Sequence, residues 1–105
     1  MKWNFKLKLN GVNPEKIHRT QQFIDSEILK RSDPYVPFKT GSLKRSGIDG
    51  TRTGTGVIKY TAPYAKPQYF KGKSSGQRGR KWVKRMWLSQ GKQIIKSANK
   101  ILNGK

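Results

Sequence analysis

Residues 34–47 read PYVPFKTGSLKRSG, and this run decides how the middle of the chain is built. Pro34 and Pro37 each fix φ and remove a backbone donor, and each biases the residue before it, Asp33 or Val36, toward an extended conformation. An extended strap is therefore predicted. It carries Tyr35, Val36 and Phe38, apolar side chains that need a surface, either the domain's own core or a neighbouring subunit. Thr40 or Ser42 can cap a short helical turn over residues 43–46, opening with Leu43, and Gly47 is the residue type that ends such a turn in a left-handed conformation.

On the N-terminal side, KWNFKLKL at residues 2–9 alternates Trp3, Phe5, Leu7 and Leu9 with Lys2, Asn4, Lys6 and Lys8, the period of a half-buried strand. Gly11 breaks it. Asn13 reads as an N-cap, Pro14 as the first helical residue and Glu15 as an acid in the first turn, so a helix is expected from residue 14 to residue 30 or 31. Ile17, Phe23, Ile24 and Ile28, with Gln21 and Leu29, form its buried stripe.

On the C-terminal side, residues 48–61 suggest a β-hairpin that turns at residues 54–56. Val57, Ile58 and Tyr60 give its returning strand few apolar anchors, so register is weakly specified. The segment YTAPYAKPQYF follows at residues 60–70; Pro63 opens a short helical segment over residues 64–70, which Pro67 limits. Residues 71–81, KGKSSGQRGRK, hold no apolar side chain and are expected to be mobile until a partner orders them. A last helix is predicted over residues 82–102, with Trp87, Ile94, Ile95, Ala98, Ile101 and Leu102 at helical spacing. Gly91 weakens it unless close packing against another element needs the missing side chain.

Composition limits the function classes. A chain of 105 residues with 32% hydrophobic residues has room for one domain with a small core, and oligomer contacts are expected to cover part of the remaining apolar surface. There is no cysteine, so disulfide and thiolate metal chemistry are excluded. No run approaches the length of a membrane span and residues 1–10 do not form a signal-peptide core, which predicts a soluble, non-exported protein with no membrane partner. The net charge is +19, and all five acids lie before residue 50, so the second half of the chain carries base alone. Such a field attracts polyphosphate or acidic partners and opposes the close packing of like subunits.

Catalysis has little to work with. His18 is the one histidine, and Asp25, Glu27 and Asp33 do not assemble a metal site from their spacing. The glycines of GTRTGTG, residues 50–56, and of GQRGRK are spaced loosely like phosphate loops but lack the GK[ST] ending. No enzyme and no cofactor is expected. Nucleic-acid binding is the stronger rival: Lys71, Lys73, Arg78, Arg80, Lys81, Lys84 and Arg85, interleaved with Trp82 and Trp87, are the candidate contacts for DNA or an acidic partner.

The order of PYVPFKTGSLKRSG, YTAPYAKPQYF and GQRGRKW resembles the minor capsid and head-to-tail neck (tail-completion) proteins of tailed bacteriophages. These proteins carry a PYVPxxTGxLxxS strap, a hairpin, a YxxPYAxxQYY segment and a GxRGxxW element. The resemblance covers roughly residues 13–102, with departures at Lys39 and Pro67. It implies a non-enzymatic virion protein, made in the host bacterial cytoplasm, that forms a ring of six or twelve copies between head and tail. Its partners would be its own copies, neighbouring connector and tail proteins, and genomic DNA in the channel. On this reading Pro34, Tyr35, Val36, Pro37, Phe38, Thr40 and Leu43 form the assembly strap, and Tyr60, Pro63, Tyr64, Ala65, Tyr69 and Phe70 form a second packing segment. A small sequence-independent DNA- or RNA-binding protein is the alternative. The expected fold is α+β: a small antiparallel sheet with an N-terminal and a C-terminal helix, an extended strap and a flexible basic loop.

Overall fold

A computed structural model describes residues 1–37, 41–73 and 76–104, within which four α-helices surround one two-stranded antiparallel sheet. This is the α+β arrangement anticipated from the sequence. Helix α1, Pro14–Ser32, starts as its residues require. Asn13 Oδ1 accepts the Glu15 N–H at 2.8 Å, Pro14 occupies a position that needs no donor, and Lys30 and Arg31 sit at the carbonyl end.

Helix α4, Trp82–Asn103, makes the principal helix contact with α1. Ile24 and Ile28 are buried on α1, while Ile17, Phe23 and Leu29 are only half-buried. On α4 the buried stripe is Trp82, Val83, Met86, Ile94 and Ala98, so it begins a turn earlier than the apolar spacing indicated. Trp87 lies half-buried against Phe5, ring centroids 5.1 Å apart. Ile95 points away from this core, because it lies about 100° around the helix from Ile94. Gly91 is buried under the Trp87 ring, and a Cβ there would lie 2.8 Å from Trp87 Cδ2; the nearest atoms belong to its own helix and not to another element.

Strand β1, Lys2–Asn4, pairs with β2, Val57–Lys59, with Trp3 opposite Ile58. The hairpin expected over residues 48–61 does not form. Residues 48–50 instead complete helix α2, Ser42–Gly50, and β2 takes the N-terminal strand as its partner. The other edge of β2 is met by side chains: Thr51 Oγ1 accepts the Lys59 N–H at 2.9 Å and donates to the Lys59 carbonyl at 3.3 Å, and Thr55 Oγ1 accepts the Val57 N–H at 3.3 Å. With few apolar anchors in the returning strand, the apolar side of β1 is the better partner.

β1 is also shorter than the alternation suggested. Its period persists, with Trp3, Phe5 and Leu7 half-buried, and the Phe5 N–H still reaches the Gly56 carbonyl at 2.6 Å. Beyond it the Gln21 amide of α1 replaces a strand, accepting from Leu7 N–H at 2.7 Å and donating to the Phe5 carbonyl at 3.3 Å. Trp3, Tyr60, Tyr69 and Trp82 close the core as an aromatic cluster with centroids 4.8 to 5.8 Å apart. Such pairs add about 0.5–1.5 kcal/mol each beyond the area they bury.

Candidate assembly surface

The strap is more folded than its prolines suggested. Asp33–Tyr35 form a 3-10 turn that continues α1, and Asp33 keeps a helical φ of −50° and ψ of −48°. Its N–H is bonded to the Leu29 carbonyl, and this helix-end bond outweighs the bias that Pro34 exerts. Pro34 stands at the start of the turn, where a missing N–H does no harm. Val36 is extended, with ψ of 132°, as Pro37 demands. Phe38 and Thr40 lie outside the described residues. The N-cap of α2 is Gly41, whose carbonyl accepts the Arg45 N–H at 3.0 Å, so Ser42 is the first helical residue and not the cap. Gly47 does not end the helix, which runs three residues further; it is buried against Tyr60.

Of the two surfaces open to the strap, the chain's own core takes the described apolar side chains. Tyr35, Val36 and Leu43 are buried, Val36 to 1% exposure. The Tyr35 phenol is held below its ordinary pKa by hydrogen bonds from Ser89, Gln90 and Gln77, with the Arg85 cation adding to the effect. Arg85 also lies 5.4 Å from the Tyr35 ring centroid, in cation–π range.

Part of the basic segment, expected to be mobile, is docked on this strap. Arg78 Nη1 donates to the Asp33 carbonyl at 2.9 Å and to the Val36 carbonyl at 2.7 Å, and the Gly79 N–H donates to the Tyr35 carbonyl at 2.9 Å. Arg85 clasps the segment itself, through Nε to the Arg80 carbonyl at 2.8 Å and Nη2 to the Gln77 carbonyl at 2.9 Å. Hydrogen bonds from a charged donor contribute about 1.5–3 kcal/mol each, enough to hold a segment with no apolar side chain of its own. Arg78 and Arg85 are therefore staples of the fold. Lys71, Lys73, Arg80, Lys81 and Lys84 are exposed; Ser74 and Ser75 lie outside the described residues.

The second segment joins the same cluster. Helix α3, Ala65–Lys71, starts two residues after Pro63, and Lys71 ends it instead of opening the loop. Pro67 is tolerated because it falls in the first turn, where N–H groups lack helical partners. Tyr60, Ala65 and Tyr69 are buried, whereas Pro63, Tyr64 and Phe70 are exposed. Tyr69 receives Lys84 N–H on its hydroxyl at 3.2 Å and Lys81 N–H on its carbonyl at 2.9 Å. Burial raises the Tyr60 phenol well above its usual pKa, and the Asp33 carboxylate adds to the rise; burial also raises that of Tyr69.

Asp25 has a structural role that its sequence position did not announce. It is 0% exposed, and its Oδ2 accepts the N–H groups of Gly54 at 2.8 Å and Gly56 at 2.9 Å. Gln21 Nε2 donates to Oδ1 at 2.9 Å. Gly54 and Gly56 have φ of 98° and 80°, so the GTRTGTG stretch does form a backbone cradle for an anion. The anion is the chain's own carboxylate. Glu27 pairs with Arg31 and Asp33 with Lys44, each at 3.1 Å, and His18 is exposed beside Gly54.

Two clefts border the strap and the second segment. Between α1 and α2 lies a groove of about 420 Å³ where exposed Ile48 meets Leu29 and Val36 between Lys30 and Lys44. Between α3 and α4 a second cleft, about 400 Å³, holds Phe70 and Leu88 among Arg80, Lys81 and Lys84. No helix among the described residues is long and apolar enough to cross a membrane. A family profile described as minor capsid protein matches residues 2–102. No curated protein and no solved structure matches the chain.

Proposed function

The chain belongs to the minor capsid protein family, a structural family of phage particles, and from that membership we propose that it is a ring-forming neck or tail-completion protein joining head to tail. The observation that carries the reading is the family match over residues 2–102, which spans strap, second segment and basic segment together. Its work is geometric and not catalytic. Copies related by rotation about the channel contact one another heterologously, and a ring closes when the rotation divides the circle. Six or twelve copies follow from the resemblance to neck proteins.

The internal packing supports a specific division of labour. Tyr35, Val36 and Leu43 fix the strap on its own domain, so the contacts between copies fall to what stays outside: Ile48 beside the groove between α1 and α2, and Tyr64 ahead of α3. Exposed apolar side chains of this size are what a neighbour in a ring covers. The rival reading, a free nucleic-acid-binding protein, loses two of its cations, because Arg78 and Arg85 are spent on the chain's own carbonyls.

Phage carrying Ile48→Ser together with Tyr64→Ser tests the assignment by electron microscopy of lysates. Filled heads lying beside unattached tails are expected, with the variant protein still folded by circular dichroism. Infectious particles with normally joined tails and the variant protein in place would remove the neck reading.

A further inference from the structure

Leu88, Ile95 and Leu102 recur along α4 at seven-residue spacing, which puts them on one side of the helix over about 21 Å. This side adjoins the one that packs on α1, since Ile95 and Leu102 share a cleft with Ile24 of α1. Leu88 is 76% exposed and Ile95 49% exposed, and Leu102 is half-buried. Near the start of α4, Leu88 shares its cleft with Phe70, itself 48% exposed. Further along, Ile95 and Leu102 rim a cleft of about 280 Å³ that also includes Phe5 and Leu7. The apolar line is bordered throughout by base: Lys81, Lys84, Lys92 and Lys96 are exposed, and α4 contains no acidic residue.

We propose that this face of α4 docks an acidic amphipathic segment of a different polypeptide. Its apolar side chains rest on Leu88 and Ile95, and its carboxylates meet Lys81, Lys84 and Lys92. Charge selects the occupant. A second copy of this chain brings 24 cations and five acids, all of the acids before residue 50, so α4 against α4 sets lysine against lysine. Nucleic acid would satisfy the lysines through its phosphates, but backbone contacts leave Leu88 and Ile95 uncovered. An acidic segment with an apolar stripe satisfies both features at once. The inference concerns partner chemistry and goes beyond the ring reading; it stands whether or not the copies form a ring.

The test uses the full-length protein and three probes: a fluorescent helical peptide with a glutamate-rich border and leucines at heptad spacing, the same peptide with serines in place of the leucines, and a random-sequence DNA duplex. The leucine peptide is expected to bind at least about tenfold more tightly than the serine peptide, since two apolar anchors are removed from water. Leu88→Ser with Ile95→Ser should abolish that margin and leave duplex binding unchanged. Equal binding of the two peptides to the unmodified protein overturns the proposal. So does a folded variant that still prefers the leucine peptide, or one whose duplex affinity falls as far as its peptide affinity, which assigns the face to nucleic acid.

Discussion

Gly47 leaves the space that the Tyr60 ring occupies: a Cβ on residue 47 would lie 2.5 Å from Tyr60 Cε2, inside any tolerable contact. The two residues come from the two sequence segments by which the chain is recognised, and this contact locks one onto the other. Tyr60 is in turn edge-on to Trp3 and Trp82, at 5.8 and 5.5 Å, so the ring has little room to retreat.

Gly47→Ala should therefore destabilise the protein, although alanine is the better helix former by about 1 kcal/mol. Overpacking a filled core costs about 1–3 kcal/mol, and the expected net result is a lower urea midpoint with an unchanged slope. A variant as stable as the unmodified protein would show that the ring can move aside.

Asp25→Asn tests the buried cradle. The substitution keeps the size, but Gly54 and Gly56 N–H share Oδ2 while Gln21 Nε2 donates to Oδ1, so in either orientation the new NH2 faces a donor and the charge that strengthens the glycine bonds is lost. A loss of about 2–3 kcal/mol is expected in equilibrium unfolding, with faster amide exchange at Gly54 and Gly56. An unchanged unfolding midpoint would refute the cradle.

Arg78→Ala removes both bonds to the strap carbonyls. Limited trypsin digestion should then cut several-fold faster at Arg80 and Lys81, while Lys73→Ala, at an exposed position, leaves that rate unchanged. Equal rates in all three proteins would mean that the segment is held by something else.

Alkaline pH should unfold the protein partly through Tyr60. Burial raises its pKa in the fold above the ordinary phenol value of 10.0, so its proton is retained when folded and released on unfolding. The resulting stability is fully present below that value and is lost as pH rises toward the folded pKa, at about 1.4 kcal/mol per pH unit for one group. Tyr35, with its lowered pKa, acts in the opposite sense and below 10.0, outside the range in which Tyr60 acts. Comparing denaturation midpoints of Tyr60→Phe and the unmodified protein from neutral pH to pH values above 10.0 isolates the Tyr60 contribution. The variant should lose less stability across that interval, and parallel curves would contradict the assignment.

Local rules were legible where local chemistry decides. Asn13, Pro14 and Glu15 started α1 because a cap, a fixed φ and a dipole each act within one turn. The alternation in residues 2–9 correctly put Trp3, Phe5 and Leu7 on the half-buried side, whereas Leu9, the fourth residue of that pattern, is exposed. Among the site residues, Lys71, Lys73, Arg80, Lys81 and Lys84 are exposed as a partner-binding role requires, whereas Arg78 and Arg85 turned inward because unpaired carbonyls at the strap needed donors. No periodicity announces such a need.

By itself the sequence determined the helices at either end, the side of the N-terminal strand that faces inward, the family, and a basic half without acids. The tertiary structure alone decided which strand β2 pairs with, that Gly47 sits inside a helix, and that the anion for the Gly54–Gly56 backbone is Asp25. Capping, period and charge are properties of neighbours in the chain. Strand partners, close approaches and buried carboxylates depend on which distant surfaces meet, and that is settled only when the whole core closes around Tyr60 and Trp82.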